Sequence, residues 1–560
     1  MGLNLRVCSA AVLLAVLAGP ARGLPADDPV FKAMADELDR TMHKLKMPDN
    51  PGPYFASYAV REATSAYIEA SFGSIVYDNA NRFLDINVNL RAGGYAFDNT
   101  NFLPGGYQYS SVPGQGSASF ESDYDNLRFA LWSLSDEAYK GAVEGLAKKK
   151  AFREKRMIVK TVDDMSREKP VQRFDPAVPF TFDHALWQQR MRTLSEVFRQ
   201  YPDIQDSRAA VTVDAGTKRL LNSEGTAVRG SDLHIIIEMT VQAQAQDGLR
   251  LGDGIILHYP SWADVPGPEA LAGEARRLAQ GMVDMAHGST VQAYVGPVLF
   301  EEQAAAEFFD VFLVDNMSNP RGKWMEDEGN HTFDPPPLAG RLGMRVAVPF
   351  LSFVDDPLLE RYQGAPLFGH YRIDDEGVPA QRLEIVRKGK LDDLYMSRAP
   401  IPERRHSNGH GRAGFFGEPS GRMGNLIVTP DSSLPLAELR QKLRAMCREL
   451  DLEYGIVVRR MGGLNPIVAY KLYAADGREE ALRGVEFTGA GLRPLRDIVA
   501  ASSQTYVFNF YHGSPGRSSV PASIVAPSIL VDEMELKNTE RKPERLPYLP
   551  HPYFAGQAGK

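Results

Sequence analysis

The sequence predicts an α+β fold, with a mixed α/β N-terminal domain followed by a β-rich C-terminal domain that has a few packing helices. Helix-like and strand-like patterns alternate over the first half. Short strand-like runs around one clear helix, Leu436–Leu450, fill the second half. The length of 560 residues is enough for roughly two to four domains. The composition, 43% hydrophobic and 24% charged, is that of an ordinary globular protein with a sizeable core.

The N-terminus has the pattern of a secretory signal. Arg6 precedes the apolar segment Val7–Gly19, and Ala21-Arg22-Gly23 offers small residues for cleavage. The apolar segment is too short to span a bilayer, and no stop-transfer pattern follows it. We therefore expect residues 1–23 to be a signal peptide and the mature chain to be exported, periplasmic or extracellular, without a membrane span. An uncleaved anchor is the alternative.

The charge and the cysteine content limit the classes of function that this chain can have. The chain has 63 basic and 71 acidic residues, and this net negative charge argues against a nucleic-acid partner. Once the signal is removed, Cys447 is the remaining cysteine, so no internal disulfide can form. Cys447 lies in the amphipathic run L-R-A-M-C-R-E-L, which predicts a buried structural thiol.

Residues 24–290 mix both periodicities, which predicts one mixed α/β domain. Asp28–Lys46 places its apolar residues on one helical face, and Phe83–Leu90 largely alternates as a half-buried strand does. Glycines between Val211 and Gly230 predict two short hairpin steps. Further strands are expected at Tyr54–Val60, Ser65–Ser71 and Leu233–Ala245, and further helices at Asp123–Arg156, Asp183–Tyr201 and Glu269–His287.

Residues 291–536 predict the β-rich domain. Tyr294–Phe300 has the composition of a buried strand and leads into a short helix-like run that begins at Glu301. Leu383–Tyr395 predicts a β-hairpin, and Ser519–Leu536 predicts another strand. The charged, proline-rich tail, 537–560, is expected to lie on the surface.

Two polar, glycine-containing loops flank the predicted hairpin, at the rim of a sheet where binding sites commonly form. Asp374, Asp375 and Glu376 precede Gly377, which favours a tight turn capped by carboxylates; a general acid/base pair is the alternative. His406 and His410 have metal-like spacing, but the glycines in this segment favour a turn that exposes backbone N–H groups and Arg412. Support of the sheet rim is the favoured role of this turn. Contact with a carboxylate or a peptide backbone, and metal binding, are the alternatives. The predicted substrate-binding residues are Asp374, Asp375, Glu376, Asn408, His410 and Arg412.

The strings D-D-E-G-V-P-A-Q-R, from Asp374 to Arg382, and S-N-G-H-G-R, from Ser407 to Arg412, give this region a family resemblance. They resemble the C-terminal half of the TldD/PmbA (TldE) metallopeptidase-related family. The resemblance covers residues 292–530 well and residues 54–98 weakly.

The resemblance also implies which subunit type this chain is. TldD-type subunits carry H-E-x-x-x-H at the strand-to-helix junction, where two histidines and a distant cysteine bind zinc. This chain has E-E-Q-A-A-A from Glu301 to Ala306, and the expected cysteine is missing from the C-terminal segment. Adjacent glutamates on a helix point about 100° apart and do not converge on a metal, so their charge is expected to stabilise the helix start. The pattern resembles PmbA/TldE, which lacks the zinc motif and pairs with a TldD-type partner.

Together with the signal pattern, which predicts export, the resemblance implies a non-zinc subunit that supports peptide proteolysis. We expect no catalytic residue, no metal ligand and no cofactor in this chain, with zinc in the partner alone. The expected partners are a TldD-type zinc subunit in a hetero-oligomer, or a second copy of the chain, and a peptide substrate. The alternatives are a non-catalytic, peptide-binding scaffold of the envelope, and hydrolysis by a different set around His410, Arg412 and the Asp374 run.

Overall fold

The computed structural model describes residues 23–105, 113–119, 121, 123–159, 162–327, 334–489, 491–513 and 519–539. The predicted signal peptide and nearly all of the predicted tail lie outside these residues, so both stay predictions. So do the domain limits at residues 290 and 536. In the described part, no helix has the length and apolar character needed to cross a membrane.

The N-terminal half alternates helices with long strands, as predicted. Its helices are α1 (Pro29–Lys44), α2 (Tyr124–Lys155), α3 (His184–Glu196) and α4 (Pro268–Ala286). Its strands are β1 (Pro53–Ser71), β2 (Ser74–Gly94), β3 (Phe97–Asp98), β4 (Phe102–Leu103), β5 (Gln115–Ala118), β6 (Gln172–Phe174), β7 (Ile204–Asn222), β8 (Ala227–Gln244) and β9 (Arg250–Tyr259). Short 3₁₀ turns occur at Val197–Gln200 and Trp262–Asp264.

Most of these strands form one sheet in the order β3-β2-β1-β7-β8-β6, with β5 added beside β2 and β9 beside β8. The pairing of β1, β2, β7, β8 and β9 is antiparallel throughout. Helices α1 and α2 bury their apolar faces against β1 and β2, and helices α3 and α4 cover β7 and β8. The apolar stripes seen in the sequence thus become the two main cores of the described part of this half.

Two local predictions for this half are wrong. The runs Tyr54–Val60 and Ser65–Ser71 belong to a single strand, β1, because its whole length pairs with β2 and β7. Gly216 is not a turn residue but lies in the middle of β7, and only the Ser223–Thr226 turn links β7 to β8 there. A Cβ at Gly216 would lie 3.0 Å from the Arg61 Nε atom, so the glycine makes room for that guanidinium.

The C-terminal half is rich in strands and poor in helices, which confirms the α+β prediction. Its helices are α5 (Gln303–Phe309), continued by a π-helical turn (Asp310–Val314), and α6 (Leu436–Glu449), with a 3₁₀ turn at Arg493–Arg496. Its strands are β10 (Ala293–Phe300), β11 (Trp324–Met325), β12 (Leu351–Asp355), β13 (Arg361–Tyr362), β14 (Ala365–Pro366), β15 (Leu383–Arg387), β16 (Lys390–Leu391), β17 (Gly411–Arg412), β18 (Ser420–Gly421), β19 (Asn425–Pro430), β20 (Tyr454–Gly462), β21 (Asn465–Tyr473), β22 (Glu479–Leu482), β23 (Val485–Phe487), β24 (Ile498–His512) and β25 (Val520–Asn538).

Among the described residues, eleven strands form the second sheet, in the order β16-β15-β12-β19-β25-β10-β20-β21-β22, with β23 and β24 also paired to β25. Helix α5 packs into the main core of this half, while α6 covers the opposite side with Leu439, Leu443 and Cys447. Cys447 is buried, as predicted, and burial raises the pKa of its thiol to about 11. The predicted hairpin forms from β15 and β16, where Lys388 and Gly389 both have positive φ in the two-residue turn.

The two sheets meet along a polar seam. The buried guanidinium of Arg398 makes two bonds to the Glu224 carboxylate, of 2.6 and 2.9 Å, and donates to the Ser166 carbonyl at 2.6 Å. Near the other end, the ring of His258 on β9 packs against the rings of Phe368 and Tyr511. Contacts of both kinds fix how the C-terminal sheet lies on the N-terminal one.

Loss of the Arg398 guanidinium should weaken this seam strongly. We expect Arg398→Met to lower the free energy of unfolding by about 3 kcal/mol, because the Glu224 carboxylate, which is only 17% exposed, would lose its cation. Urea-induced unfolding followed by tryptophan fluorescence measures the change. Lys140→Met is the control, since the Lys140–Asp136 pair is exposed and should contribute little. Equal stability of the Arg398 variant and wild type would contradict the role given to the seam.

His258 should make the stability of the fold depend on pH. Burial, aided by the nearby His234, lowers the pKa of His258 to about 4 from its ordinary 6.5. The folded state thus favours the neutral ring, so stability is full above pH 6.5 and falls as the pH drops from 6.5 towards 4. We expect a loss of about 3 kcal/mol over that range.

The measurement is thermal unfolding of wild type and His258→Phe from pH 7 to pH 4. The variant should lose much of the decline, whereas His287→Gln should keep it, because His287 is exposed. An unchanged pH profile in His258→Phe would show that another group causes the decline.

Candidate functional site

The predicted carboxylate run forms a tight turn next to the seam. Asp374 is buried, and its Oδ1 accepts hydrogen bonds from the backbone N–H groups of Glu376 at 3.0 Å and Val378 at 2.8 Å. Its Oδ2 accepts from the Gly411 N–H at 2.9 Å, which ties the turn to the second polar loop. Burial and the adjacent Glu376 raise the pKa of Asp374 well above its ordinary value. Asp374 therefore caps the turn, as the sequence favoured.

Asp375 points the other way, towards the N-terminal sheet. Its Oδ1 lies 2.5 Å from the Lys218 Nζ of β7, and its Oδ2 lies 3.4 Å from the Arg412 Nε and 2.9 Å from the Ala413 N–H. Burial alone would raise the pKa of Asp375, but Lys218 and Arg412 outweigh it and hold that pKa below its ordinary value. Asp375 is therefore a fixed negative charge between two cations.

Glu376 faces the same seam. Its Oε2 accepts the Arg398 backbone N–H at 2.6 Å. Burial raises the pKa of Glu376, although the charge of Arg398 opposes the shift. The three consecutive carboxylates therefore lie in different environments. The pKa values of Asp374 and Glu376 are raised, whereas the pKa of Asp375 is lowered.

The second loop is built for support. His410 is fully buried, with its Nε2 3.3 Å from the Asp355 Oδ1 and its Nδ1 3.1 Å from the Asn408 carbonyl. The Asn408 side chain bonds the backbone of Leu394 and Met396 on the other side of the loop. His406 is exposed and pairs with a different carboxylate, so the two histidines do not form one ligand set.

Arg412 completes the network and differs from its neighbours. Its guanidinium stacks 4.0 Å from the centroid of the Tyr371 ring, and its Nη1 is buried without a hydrogen-bond partner among the described residues. Three of the predicted site residues lie behind the turn and hold it in place: Asn408, His410 and Arg412. Because His410 is fully buried, its side chain cannot contact a substrate in this structure. Their predicted role in substrate binding stays a prediction.

A cavity of about 250 Å³ opens at the seam, and Asp375 and Glu376 form part of its wall. Residues from both sheets line it, including the cations of Arg91, Lys218 and Arg398. The amide of Gln115 donates to the Phe416 carbonyl at 2.6 Å, while its buried Oε1 has no partner among the described residues. Charged groups and amides of this kind suit a ligand with its own amide and charged groups, as a short peptide has. Other polar lining residues are Asn87, Asn89, Asn99, Thr100 and Glu418.

The junction of β10 and α5 does not fit a zinc ion. The Glu301 carboxylate is buried and accepts bonds from Arg440 at 2.6 and 2.8 Å and from Arg459 at 3.2 Å. Ala306, where a second ligand would stand, is fully buried and has no ligand atom. Glu301 therefore serves as the partner of two arginines, and its expected role of stabilising the start of the helix stays a prediction.

Sequence reasoning missed a third cluster. The ligand atoms of Asp310, Asp315 and His512 all lie within 4.8 Å of one another. The two aspartates are five residues apart, a spacing that on an α-helix separates side chains by about 140°. The π-helical turn brings them together, and His512 comes from a distant strand, so the linear sequence carried no signal for this cluster.

Comparison with known proteins finds matches to parts of this chain. Residues 293–538 match the family model of the PmbA/TldA metallopeptidase C-terminal domain. A metalloprotease of Methanothermobacter thermautotrophicus is 23% identical over 318 residues, which cover 56% of this chain and 65% of that protein. A metalloprotease of Archaeoglobus fulgidus is 29% identical over 203 residues, which cover 34% of this chain and 44% of that protein. The chain thus spans less than two thirds of the length of each of these relatives.

Solved structures share the fold. TldE from Thermococcus kodakarensis superposes with a TM-score of 0.54 at 13% identity, over 87% of this chain and 97% of that one. A protein of Thermotoga maritima described as a modulator of DNA gyrase gives a TM-score of 0.57 at 15% identity, over 86% and 96%. Residues 293–538 therefore match the PmbA/TldA metallopeptidase C-terminal domain, and the chain shares the fold of these solved structures.

Proposed function

We propose that this chain is an exported, non-zinc subunit that supports peptide proteolysis together with a TldD-type partner that supplies the metal. The observation that carries the proposal is the β10–α5 junction, where Glu301 is bound by two arginines and Ala306 has no ligand atom. A catalytic zinc needs about three protein ligands and one open position, and this junction supplies none of the imidazoles. No histidine of the sequence is followed by glutamate, so H-E-x-x-x-H does not occur elsewhere in the chain.

The seam cavity supports a role in peptide binding. Its wall combines the negative charges of Asp375 and Glu376 with the cations of Lys218 and Arg398. The unpaired Oε1 of Gln115 is an acceptor for a peptide N–H group. A volume of about 250 Å³ is below that of most drug-sized pockets, which favours one short stretch of peptide over a folded ligand.

The alternative is an envelope protein that binds peptides without any role in their cleavage. The same cavity supports it, because binding requires no metal. The two functions differ in the partner. A TldD-type partner recovered in equal amount favours the first function, and peptide binding by the chain alone, with no such partner, favours the second.

The first function predicts that cleavage requires the partner. The purified mature chain should release no new amino groups from casein-derived peptides, whether or not zinc is added. Addition of a TldD-type subunit with an intact H-E-x-x-x-H motif should produce cleavage beyond that of the partner alone. Amine release measured with ninhydrin, at matched zinc concentration, checks both statements. A partner whose two motif histidines are replaced by alanine is the control. Zinc-dependent cleavage by this chain alone would reject the proposal.

The cavity predicts a specific binding defect. We expect Gln115→Ala to weaken the binding of a fluorescein-labelled random hexapeptide pool about 5-fold to 10-fold, because one hydrogen bond of about 1 kcal/mol would be lost. Fluorescence anisotropy measures the affinity.

Gln280→Ala is the matched control, since that amide lies on the exposed face of α4 and bonds Asp284 at 2.8 Å. Equal peptide affinities of the Gln115 and Gln280 variants would show that Gln115 and the seam cavity do not form the peptide site.

A further inference from the structure

The cluster of Asp310, Asp315 and His512 has the composition of a metal site that the β10–α5 junction does not provide. The Asp310 Oδ1 lies 3.0 Å from the His512 Nδ1, and one ligand atom of each residue lies within 4.8 Å of the others. His512 is buried, Asp310 is partly buried and Asp315 is exposed, so the cluster is held on one side and open on the other.

The π-helical turn at 310–314 explains why the two aspartates converge. The Asp315 N–H donates to the Asp310 carbonyl at 2.9 Å, an i→i+5 bond that places residue 315 one wide turn above residue 310. Single π-helical turns inside α-helices are rare and occur frequently at functional sites. The turn therefore creates a pair of carboxylates on one side of the helix.

Strand pairing fixes the third member. His512 ends β24, and its register partner is Val520 of β25. The long β24–β25 ladder holds the backbone of His512 beside the helix. A buried imidazole at a fixed position and two nearby carboxylates form a preorganised ligand set from two separate elements.

The charges of the cluster are unbalanced without a cation. Neither aspartate makes an ion pair with lysine or arginine in the described part of the chain, and His512 can neutralise at most one of them. Elsewhere in this half, the buried carboxylate of Glu301 pairs with two arginines. Of these three carboxylates, those of Asp310 and Asp315 are the ones that lack a lysine or arginine partner in the described chain.

We propose that Asp310, Asp315 and His512 bind one divalent transition-metal cation. Imidazole and carboxylate ligands together suit ions such as Mn²⁺, Co²⁺ and Zn²⁺, whereas an imidazole ligand disfavours Mg²⁺ and Ca²⁺. Metal–ligand distances of about 2.0–2.2 Å place donor atoms about 3–3.5 Å apart. The Asp310–His512 distance of 3.0 Å already meets this, and the exposed Asp315 carboxylate, which lies within 4.8 Å of both, needs to move closer to reach it. Water fills the remaining positions.

This site is separate from the β10–α5 junction and does not depend on the proposed function. It uses neither Glu301 nor Ala306, where the family motif would place its two histidines, although His512 lies in the C-terminal segment where the family's cysteine is expected. The ion would join the end of α5 to the end of β24. The proposal concerns binding alone, so it holds whether or not the chain takes part in proteolysis.

Titration of the chelator-treated mature chain with Co²⁺ tests the proposal. We expect one Co²⁺ per chain, seen as visible d–d absorption, and one Mn²⁺ per chain in competition. Asp315→Asn should weaken Co²⁺ binding by at least about 10-fold to 100-fold, since even changes outside the ligand shell have effects of that size. Asp315 is exposed, so this variant should fold, and its unchanged unfolding temperature without metal verifies that.

His287→Gln is the matched control, because the exposed His287–Asp203 pair, at 3.1 Å, resembles the Asp310–His512 pair but belongs to no such cluster in the described residues. Its Co²⁺ affinity should equal that of wild type. The absence of stoichiometric Co²⁺ binding, or equal binding by Asp315→Asn and wild type, would overturn the proposal. Metal-dependent peptidase activity lost in Asp315→Asn would confirm the site and reject the non-zinc function, so the two failures can be told apart.

Discussion

The C-terminal half depends on the pairing of one strand, β25. This strand is buried along most of its length and pairs with β10, β19, β23 and β24. The chain leaves β10 directly at Glu301, and it reaches His512 at the end of β24. The positions of the β10–α5 junction and of the metal-like cluster therefore follow from the same set of backbone ladders. A shift of one residue in either register would turn these side chains to the other face of the sheet.

The number of cations next to each buried carboxylate then determines whether its oxygens are free to bind a ligand. A buried carboxylate is strongly destabilising unless it has a partner, and Glu301 has Arg440 and Arg459. With those partners in place, its oxygens are committed and cannot serve as free ligands. Asp310 and Asp315 have no such cations in the described chain, and one imidazole cannot neutralise both. The same helix thus carries a balanced carboxylate at its start and an unbalanced pair at its end.

The sequence predicted much of the fold, because the relevant signals are local. Amphipathic stripes set α1 and α6 to within one or two residues, the Lys388-Gly389 turn set the hairpin, and Cys447 was correctly predicted to be buried. Predictions went wrong where a neighbouring element decides the outcome. Gly216 is in mid-strand because β1 and β8 pair with β7 on both sides of it, and its missing side chain leaves room for Arg61.

The candidate site was predicted less completely, for the same reason. The Asp374 turn follows from its own residues, but the environments of Asp375 and His410 come from Lys218 and Asp355, which are far away in sequence. Nothing near Asp310 in the sequence indicates a π-helical turn. Contacts with residues that are distant in sequence therefore determine which of these side chains face the cavity and which only support it.

The seam makes the candidate peptide site a property of both halves. Lys218 from the N-terminal sheet lowers the pKa of Asp375, and the Arg398 backbone holds Glu376 while the Arg398 side chain binds Glu224. Each of these contacts crosses from one sheet to the other or depends on one that does. The cavity wall consequently keeps its charges only while the two sheets are packed together. A partner that binds across the seam would act on the shape and the charge of the cavity at once, without any contact to its walls.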